Sequence, residues 1–311
     1  MANKKRTFIK NLFLLAGVVL CILILIPWYA LSLFLNQRYE QPQFDYAHLN
    51  LQVEHLTLET QDGLSLASWR IFTENETPHG TVIIVSGIQY PSVTAFFGYG
   101  QMLAQNGWDT LLIEKRARSL SEGDSIGLSM TEWQDVAAGV AFLDHDERAG
   151  DLPIIALGTS AGASAVLIAT GQVPRINGTI AISAFTSFTD VYIDNLAAVG
   201  LPRFIGHLTR PFMWLQLEFR FGIESVNLTP INALEHFSYQ PLLLMHSTKD
   251  WQVPFSHFEN LAQKADEEQI QLYTFTRTGN WHFVVYDRYL QTPEKDIAFT
   301  QTILDFLTNF E

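Results

Sequence analysis

The stretch LPIIALGTSAGASAVLIATG, residues 152–171, decides how this chain folds. Its apolar first part is typical of a buried strand, and its alanine-rich second part is typical of a helix. Between them lies GTSAG, residues 158–162, which matches the pattern Gly-X-Ser-X-Gly. Its glycines leave room for a sharp strand-to-helix turn that bulkier side chains would obstruct. The setting predicts that Ser160 is a nucleophile presented on this turn; the alternative is a serine that only caps a helix.

Strand-like and helix-like segments alternate on both sides of this stretch. The apolar runs typical of buried strands are residues 81–85, 110–113, 153–157, 176–182, 241–245 and 272–275. The helical stretches are residues 99–105, 131–143, 161–170, 256–265 and 295–310. Before them, residues 51–58 and 64–72 predict a hairpin around Asp62-Gly63. This alternation predicts one α/β domain with a mostly parallel sheet and helices on both of its faces.

The alternation is interrupted between residues 184 and 239. Connections in such domains usually have about 2–6 residues, so an insertion of this length must carry its own structure. It includes RPFMWLQLEFRFG, residues 210–222, which is rich in aromatic side chains. We expect a helical cap over the strand ends. Its aromatic residues either line a substrate cavity or pack only within the cap.

A serine hydroxyl is a weak nucleophile, so a base must take its proton and an acid must orient that base. In folds with this serine turn, the chain order is serine, acid, histidine. Asp250 follows the strand predicted at 241–245, and His282 follows the strand predicted at 272–275. The pattern therefore predicts a triad of Ser160, Asp250 and His282. Asp190 is the alternative acid, and His246 is the reserve base.

The negative charge that develops on an attacked carbonyl oxygen needs N–H donors already in place. One donor is normally the residue after the nucleophile, here Ala161, and the other lies in the loop after the third strand. Ile88 occupies that position after VIIVSG, and Gln89 is the alternative. The sequence contains no zinc-type His-Glu-X-X-His motif, no phosphate loop and no cysteine cluster. No metal and no cofactor are therefore expected.

Residues 12–35 form an apolar run without a charged side chain. As a helix this run would measure about 36 Å, more than the roughly 30 Å of a bilayer core. We expect one transmembrane helix there; a cleaved signal peptide is the alternative, although its apolar region is usually only about 7–15 residues. Cys21, the only cysteine, lies within the run, so no intrachain disulfide can form.

The charges near the N-terminus predict the orientation of that helix. Residues 1–11 carry four basic and no acidic side chains, whereas Arg38 alone is basic just after the helix. The positive-inside rule then places residues 1–11 in the cytoplasm. Residues 36–49 would be a polar linker, and residues 50–311 a catalytic domain on the non-cytoplasmic side.

The overall charge of the chain excludes one class of partner. The sequence has 32 acidic against 19 basic side chains, and five of the basic ones lie in the first 38 residues. An acidic domain repels phosphate backbones, so nucleic acid is not an expected partner. The membrane and a small acyl substrate are the partners that the sequence favours.

Five motifs, VIIVSG, ALGTSAG, AFTSFTD, LLLMHSTKDWQVPFSH and GNWHF, together resemble α/β-hydrolase-domain proteins with an N-terminal membrane anchor. That group includes protein depalmitoylases and related esterases, and the resemblance covers nearly all of residues 50–311. It implies the α/β-hydrolase fold and the same three catalytic residues. Two positions depart from the group: Ser86 stands where many members have histidine, and Glu114 where many have aspartate.

The resemblance and the motifs together favour a serine esterase or thioesterase that works through an acyl-enzyme. An aromatic cap and a membrane anchor favour lipid-like acyl substrates. Fold does not determine substrate, so a serine peptidase of the same fold is the alternative chemistry. A binding protein that keeps the fold without catalysis is the alternative class.

The predicted orientation has a direct test. Protease added to sealed vesicles of known orientation should digest the domain from the non-cytoplasmic side, because the basic N-terminus stays in the cytoplasm. A cytoplasmic marker protein in the same vesicles should survive until detergent is added. A domain that survives together with that marker would reverse the orientation.

Overall fold

The computed structural model describes residues 2–88 and 91–311, and its regular elements follow the predicted alternation. The strands are β1 Gln52–Glu59, β2 Ser65–Phe72, β3 Thr81–Val85, β4 Asp109–Ile113, β5 Ile154–Thr159, β6 Gly178–Ile182, β7 Leu242–Ser247 and β8 Leu272–Arg277. The helices are α1 Ala2–Leu35, α2 Phe97–Gln105, α3 Trp133–Asp144, α4 Ala161–Gln172, α5 Phe188–Ala198, α6 Arg203–Asn227, α7 Pro230–Ala233, α8 Ser256–Glu267 and α9 Ile297–Leu307.

The eight strands form one sheet in the order β1-β2-β4-β3-β5-β6-β7-β8. β1 pairs antiparallel with β2, and β2 pairs antiparallel with β4. The remaining neighbours, from β4 and β3 through to β8, are parallel. The sheet is therefore mixed: the predicted hairpin forms one edge, and six parallel strands form the rest. Gly63 makes the hairpin turn with φ +83°, a conformation that glycine adopts without strain.

Helices cover both faces of the sheet. Along β3, Val82 and Ile84 pack with α2 and α9, whereas Ile83 and Val85 pack with α3 and α4. Successive side chains of a strand point to opposite faces, so a strand buried on both sides must be apolar throughout. This burial explains why the central strands appear in the sequence as continuous apolar runs. Because the six strands from β4 to β8 run parallel, their carboxyl ends lie along one edge of the sheet.

The insertion between β6 and β7 holds α5, α6 and α7. α6 buries one of its faces: Met213 and Leu217 are buried, whereas Phe219 on the opposite side is 85% exposed. Gly222, with φ +83° and ψ 157°, breaks the helical geometry near the end of α6 and changes its direction. The insertion therefore carries its own helical structure, as its length predicted.

α1 is a single helix that is longer than the predicted span of residues 12–35. Residues 6–35 are long and apolar enough to cross a membrane. Its first part is exposed, but Leu31 and Leu35 near its end are buried against the domain. The linker after it also lies on the domain, because Tyr39 N–H donates to the Ala117 carbonyl at 3.0 Å and Gln41 N–H donates to Ser119 Oγ at 3.1 Å.

A network of ion pairs secures the antiparallel part of the sheet. Asp109, at the start of β4, is fully buried and accepts hydrogen bonds from Arg148 Nε at 2.7 Å and Thr73 N–H at 2.9 Å. Arg70 on β2 lies 3.7 Å from the same carboxylate and forms a two-bonded pair with Asp146. Removing Asp109 would leave buried cationic groups short of a partner, which is costly in a medium of low polarity.

Asp109→Asn should therefore lower the free energy of unfolding by about 3 kcal/mol, the cost of breaking a buried ion pair. Glu40→Gln is the matched control, because Glu40 pairs with Arg38 at an exposed position and should cost less than about 1 kcal/mol. Urea unfolding of both variants in the same detergent measures the difference. Equal losses in the two variants would show that the Asp109 network contributes no more than a surface pair.

Candidate active site

Ser160 occupies a strained turn between β5 and α4. Its φ of +53° and ψ of −121° lie outside the regions that residues with a side chain favour. Its N–H donates to the Ile182 carbonyl at 2.8 Å, which holds the turn against β6. A Cβ on Gly158 would lie 2.3 Å from the Gly162 carbonyl oxygen, and one on Gly162 would lie 2.4 Å from the Ser86 carbonyl oxygen. Both positions therefore require glycine.

Asp250 and His282 meet beyond the ends of β7 and β8. Asp250 Oδ2 lies 2.6 Å from His282 Nδ1. The other carboxylate oxygen, Oδ1, accepts hydrogen bonds from the N–H groups of Gln252 and Val253 at 2.9 and 3.1 Å. These bonds prevent free rotation of the carboxylate. With Nδ1 donating its proton to this carboxylate, Nε2 of His282 carries the lone pair that a general base requires.

Ser160 and His282 line the same cavity, which we call the histidine cavity. It has a volume of about 410 Å³ and is bounded on its far side by Phe283 and Leu290. The structure thus brings together the three residues that the sequence nominated for the triad. Their catalytic roles remain predictions.

Ser183 is a site residue that the sequence analysis missed. It follows β6 with φ +57°, its N–H donates to the Met245 carbonyl at 2.8 Å, and its hydroxyl donates to the carbonyl of His282. Ser183 therefore holds the loop that carries His282. A serine directly after a buried strand, at the edge where the other site residues lie, was the signal available in the sequence.

The two nominated oxyanion donors flank Ser160. Ile88 and Ala161 line a second cavity together with Ser160. Ala161 is the first residue of α4, where N–H groups have no partner within the helix and attract negative charge. Ser129 Oγ donates to the Ala161 carbonyl at 2.8 Å and fixes that peptide. The alternative donor, Gln89, lies outside the described residues.

The two positions that depart from the resembled group are both buried. Ser86, after β3, is buried, and its hydroxyl group has no hydrogen-bond partner among the described residues. Glu114, after β4, accepts a hydrogen bond from Ser92 Oγ at 2.5 Å, and burial raises the pKa of its carboxyl group. Neither side chain lines a cavity that contains Ser160.

Asp190, the alternative acid, makes different contacts. It lies in the first turn of α5, accepts a hydrogen bond from Ser187 Oγ at 2.6 Å and pairs with Arg210 of α6 at 3.0 Å. The bond with Ser187 lies within the first turn of α5, and the pair with Arg210 connects α5 to α6. The carboxylate that contacts His282 is that of Asp250.

His246, the reserve base, is buried beside the triad rather than in it. Its Nε2 hydrogen bonds to the Val253 carbonyl at 2.8 Å and lies 3.8 Å from Asp250 Oδ2. Burial lowers the pKa of His246, so the neutral ring that donates to Val253 is the favoured form. His246 lines neither of the two cavities at Ser160.

The second cavity, which we call the apolar cavity, has a volume of about 400 Å³. Its wall is formed mainly by apolar side chains, namely Leu31, Phe34, Ile88, Phe185, Phe188, Val191 and Val253. No charged side chain is among its described lining residues. Ser160 thus lies between an apolar cavity and a cavity that contains His282.

Within residues 2–88 and 91–311, no cluster of histidine, cysteine or carboxylate side chains is arranged to hold a metal ion.

Aromatic side chains of α5, and none of α6, are among the described lining residues of the apolar cavity. Phe188 and Tyr192 of α5 line it. Trp214 and Leu217 of α6 instead line a separate cavity that does not contain Ser160. No residue of the aromatic stretch that the sequence singled out is among the described residues that line the two cavities at Ser160.

Known proteins resemble this chain in sequence and in fold. The model of the prolyl oligopeptidase family matches residues 128–310. The Salmonella typhimurium protein YfhR is 22% identical over 282 residues, which are 86% of this chain and 87% of that protein. The esterase Pf2001 of Pyrococcus furiosus superposes with a TM-score of 0.67 at 18% identity, over 89% of this chain and 97% of the esterase.

An acylaminoacyl peptidase of Pyrococcus horikoshii superposes with a TM-score of 0.64 at 16% identity. The match covers 85% of this chain but 43% of the peptidase. These structural likenesses show the fold, and they confirm the expected α/β-hydrolase fold.

The contacts of the two carboxylates predict opposite outcomes when each is replaced by its amide. Asp250→Asn can hold the wrong tautomer of His282 and should lower kcat by roughly 10⁴-fold with little change in KM. Asp190→Asn is the matched control and should leave kcat within a few-fold, because it weakens only the contact between α5 and α6. Steady-state hydrolysis of a 4-nitrophenyl ester measures both. If Asp190→Asn is the inactive variant and Asp250→Asn is active, the acid is misassigned.

Proposed function

The chain belongs to the prolyl oligopeptidase family, and we propose that it is a membrane-anchored serine hydrolase of carboxylic esters or thioesters. The family and the α/β-hydrolase fold make it a serine hydrolase of ester or peptide bonds. The preference for esters and thioesters, and the anchoring through α1, are the further steps of the proposal.

The observation that carries the proposal is the contact of 2.6 Å between Asp250 and His282, in a site that also presents a strained Ser160. In the proposed reaction, Ser160 Oγ attacks the substrate carbonyl while Nε2 of His282 takes its proton. Asp250 stabilises the imidazolium that forms. The N–H groups of Ile88 and Ala161 bind the oxyanion.

The two cavities suit the two halves of such a substrate. His282 must protonate the leaving group, so the leaving alcohol or thiol occupies the histidine cavity. The acyl group then occupies the apolar cavity. Water enters the histidine cavity after the leaving group departs, and His282 activates it to release the acid from Ser160. No cofactor takes part in this scheme.

The composition of the apolar cavity favours a fatty acyl group over a charged peptide. A buried charged peptide end requires an oppositely charged partner, and the described lining of the apolar cavity provides none. Cleavage of peptide bonds is the second candidate, because the matching family is that of prolyl oligopeptidase. A catalytically silent binding protein is a weaker candidate, since it would not need the hydrogen-bonded pair of Asp250 and His282.

The proposal places residues 1–11 in the cytoplasm, α1 in the membrane and the hydrolase domain, residues 50–311, on the non-cytoplasmic side. One N-terminal helix apolar enough to span supports the anchor. The basic residues before it support the orientation. Lipid-like acyl esters and thioesters, such as those that depalmitoylases cleave, are the substrate class that fits an anchored enzyme of this kind.

The proposal is tested with a fluorophosphonate probe, which reacts with an activated serine. The wild-type chain should be labelled, and Ser160→Ala should lose all labelling because it lacks the hydroxyl group. Ser256→Ala is the control, because Ser256 is an exposed serine at the start of α8 and should leave labelling unchanged.

Enzyme that has not been treated with the probe should also cleave 4-nitrophenyl acyl esters faster than the matching 4-nitroanilides, which report amide cleavage. Faster cleavage of the anilides would favour the peptidase. A folded wild-type chain that neither reacts with the probe nor cleaves either substrate would favour the binding protein.

A further inference from the structure

The last two turns of α1 belong to the hydrolase domain rather than to the exposed helix before them. Gln216 of α6, which is buried, donates from Nε2 to the Trp28 carbonyl at 2.9 Å and to Ser32 Oγ at 2.8 Å. Ile126 N–H donates to the Leu35 carbonyl at 3.2 Å. A side-chain amide that bonds both a helix carbonyl and a hydroxyl fixes the rotation and the height of α1 on α6.

This fixed rotation turns one face of α1 toward the nucleophile. Leu31 and Phe34, which share a face because they are three residues apart, line the apolar cavity together with Ser160. The ring of Phe34 stacks on Phe188 of α5, with centroids 6.5 Å apart. Leu33, in the same turn, points the other way and is 50% exposed. The apolar cavity is therefore closed on one side by the N-terminal helix.

The exposed part of α1 is long enough to cross a bilayer on its own. Exposed large apolar side chains occur along it from Phe8 to Leu25. Counted from Arg6, where the apolar helix begins, that segment measures about 30 Å, the thickness of the hydrocarbon core. Leu31 is six residues further along, or about 9 Å. The cavity wall thus lies at the depth of the lipid head groups.

The cap presents a second exposed apolar surface. Phe204, Leu208, Leu215 and Phe219 of α6 are all exposed. Their spacings of four, seven and four residues place them within one face of the helix. Because α6 is bonded to α1 through Gln216, the bilayer that receives α1 is the partner that can cover this face.

We infer that the end of α1 is part of the acyl-binding site, and that the substrate is a long-chain acyl ester or thioester dissolved in the same membrane. Its chain passes from the bilayer, beside Leu31 and Phe34, to Ser160. The inference rests on the proposed function and adds that Leu31 and Phe34 of the anchoring helix help to select the acyl chain. Phe34 is a binding residue in this account, remote in sequence from the triad.

The test uses the full chain in phosphatidylcholine vesicles and compares kcat/KM for 4-nitrophenyl palmitate and 4-nitrophenyl butyrate. The wild type should favour the palmitate. Phe34→Gln should lower the palmitate-to-butyrate ratio by about tenfold, since one or two lost apolar contacts are worth that much discrimination. Leu33→Gln also replaces an apolar side chain with an amide, on the exposed face of the same turn, and should keep the wild-type ratio.

Phe34→Trp is the second variant, which keeps the position apolar but fills the cavity, and it should lower the ratio in the same way. A ratio that both Phe34 variants share with the wild type would overturn the inference while the proposed function stands. A wild type that cleaves neither ester would overturn both.

Discussion

The close approach of α4 to the loop after β3 is the constraint on which the rest of the site depends. Gly162 lies so near the Val85 and Ser86 carbonyls that a Cβ would come within 2.5 Å of both oxygens. That contact brings the first turn of α4 beside the loop that carries Ile88. The lack of space for a side chain at Gly162 therefore positions Ser160 and both nominated oxyanion donors. Asp250 and His282 follow β7 and β8, whose carboxyl ends lie at the same edge of the sheet.

Features governed by local sequence were predictable. The strand-turn-helix at Ser160 follows from periodicity and two glycines, and Asp250 and His282 were found because each follows a strand in the chain order of this fold. The contact of Asp250 with His282 agrees with that prediction, although their roles await experiment. The sheet is mixed because β2 pairs antiparallel with β4, so the hairpin of β1 and β2 joins the parallel strands in one sheet.

Contacts between distant parts of the chain were not predictable. Gln216 bonds to Trp28, 188 residues away, and no periodicity in either helix reports such a pair. The predicted span 12–35 includes Leu31 and Leu35, although both side chains are buried against the domain. The aromatic composition of residues 210–222 likewise suggests a cavity wall in α6. In the folded chain, Phe188 and Tyr192 of α5 line the apolar cavity instead. Ser183 was missed because its bond to His282 is visible only when the loops meet.

The central claim is that Ser160 attacks an acyl group whose chain lies against the N-terminal helix. A crystal structure of the complete chain, inhibited with a long-chain alkyl phosphonate, tests it most directly. The account predicts phosphorus bonded to Ser160 Oγ, a phosphonyl oxygen accepting the N–H groups of Ile88 and Ala161, and the alkyl chain between Phe34 and Phe188. An alkyl chain directed instead toward Phe283, or an adduct on another residue, would contradict it.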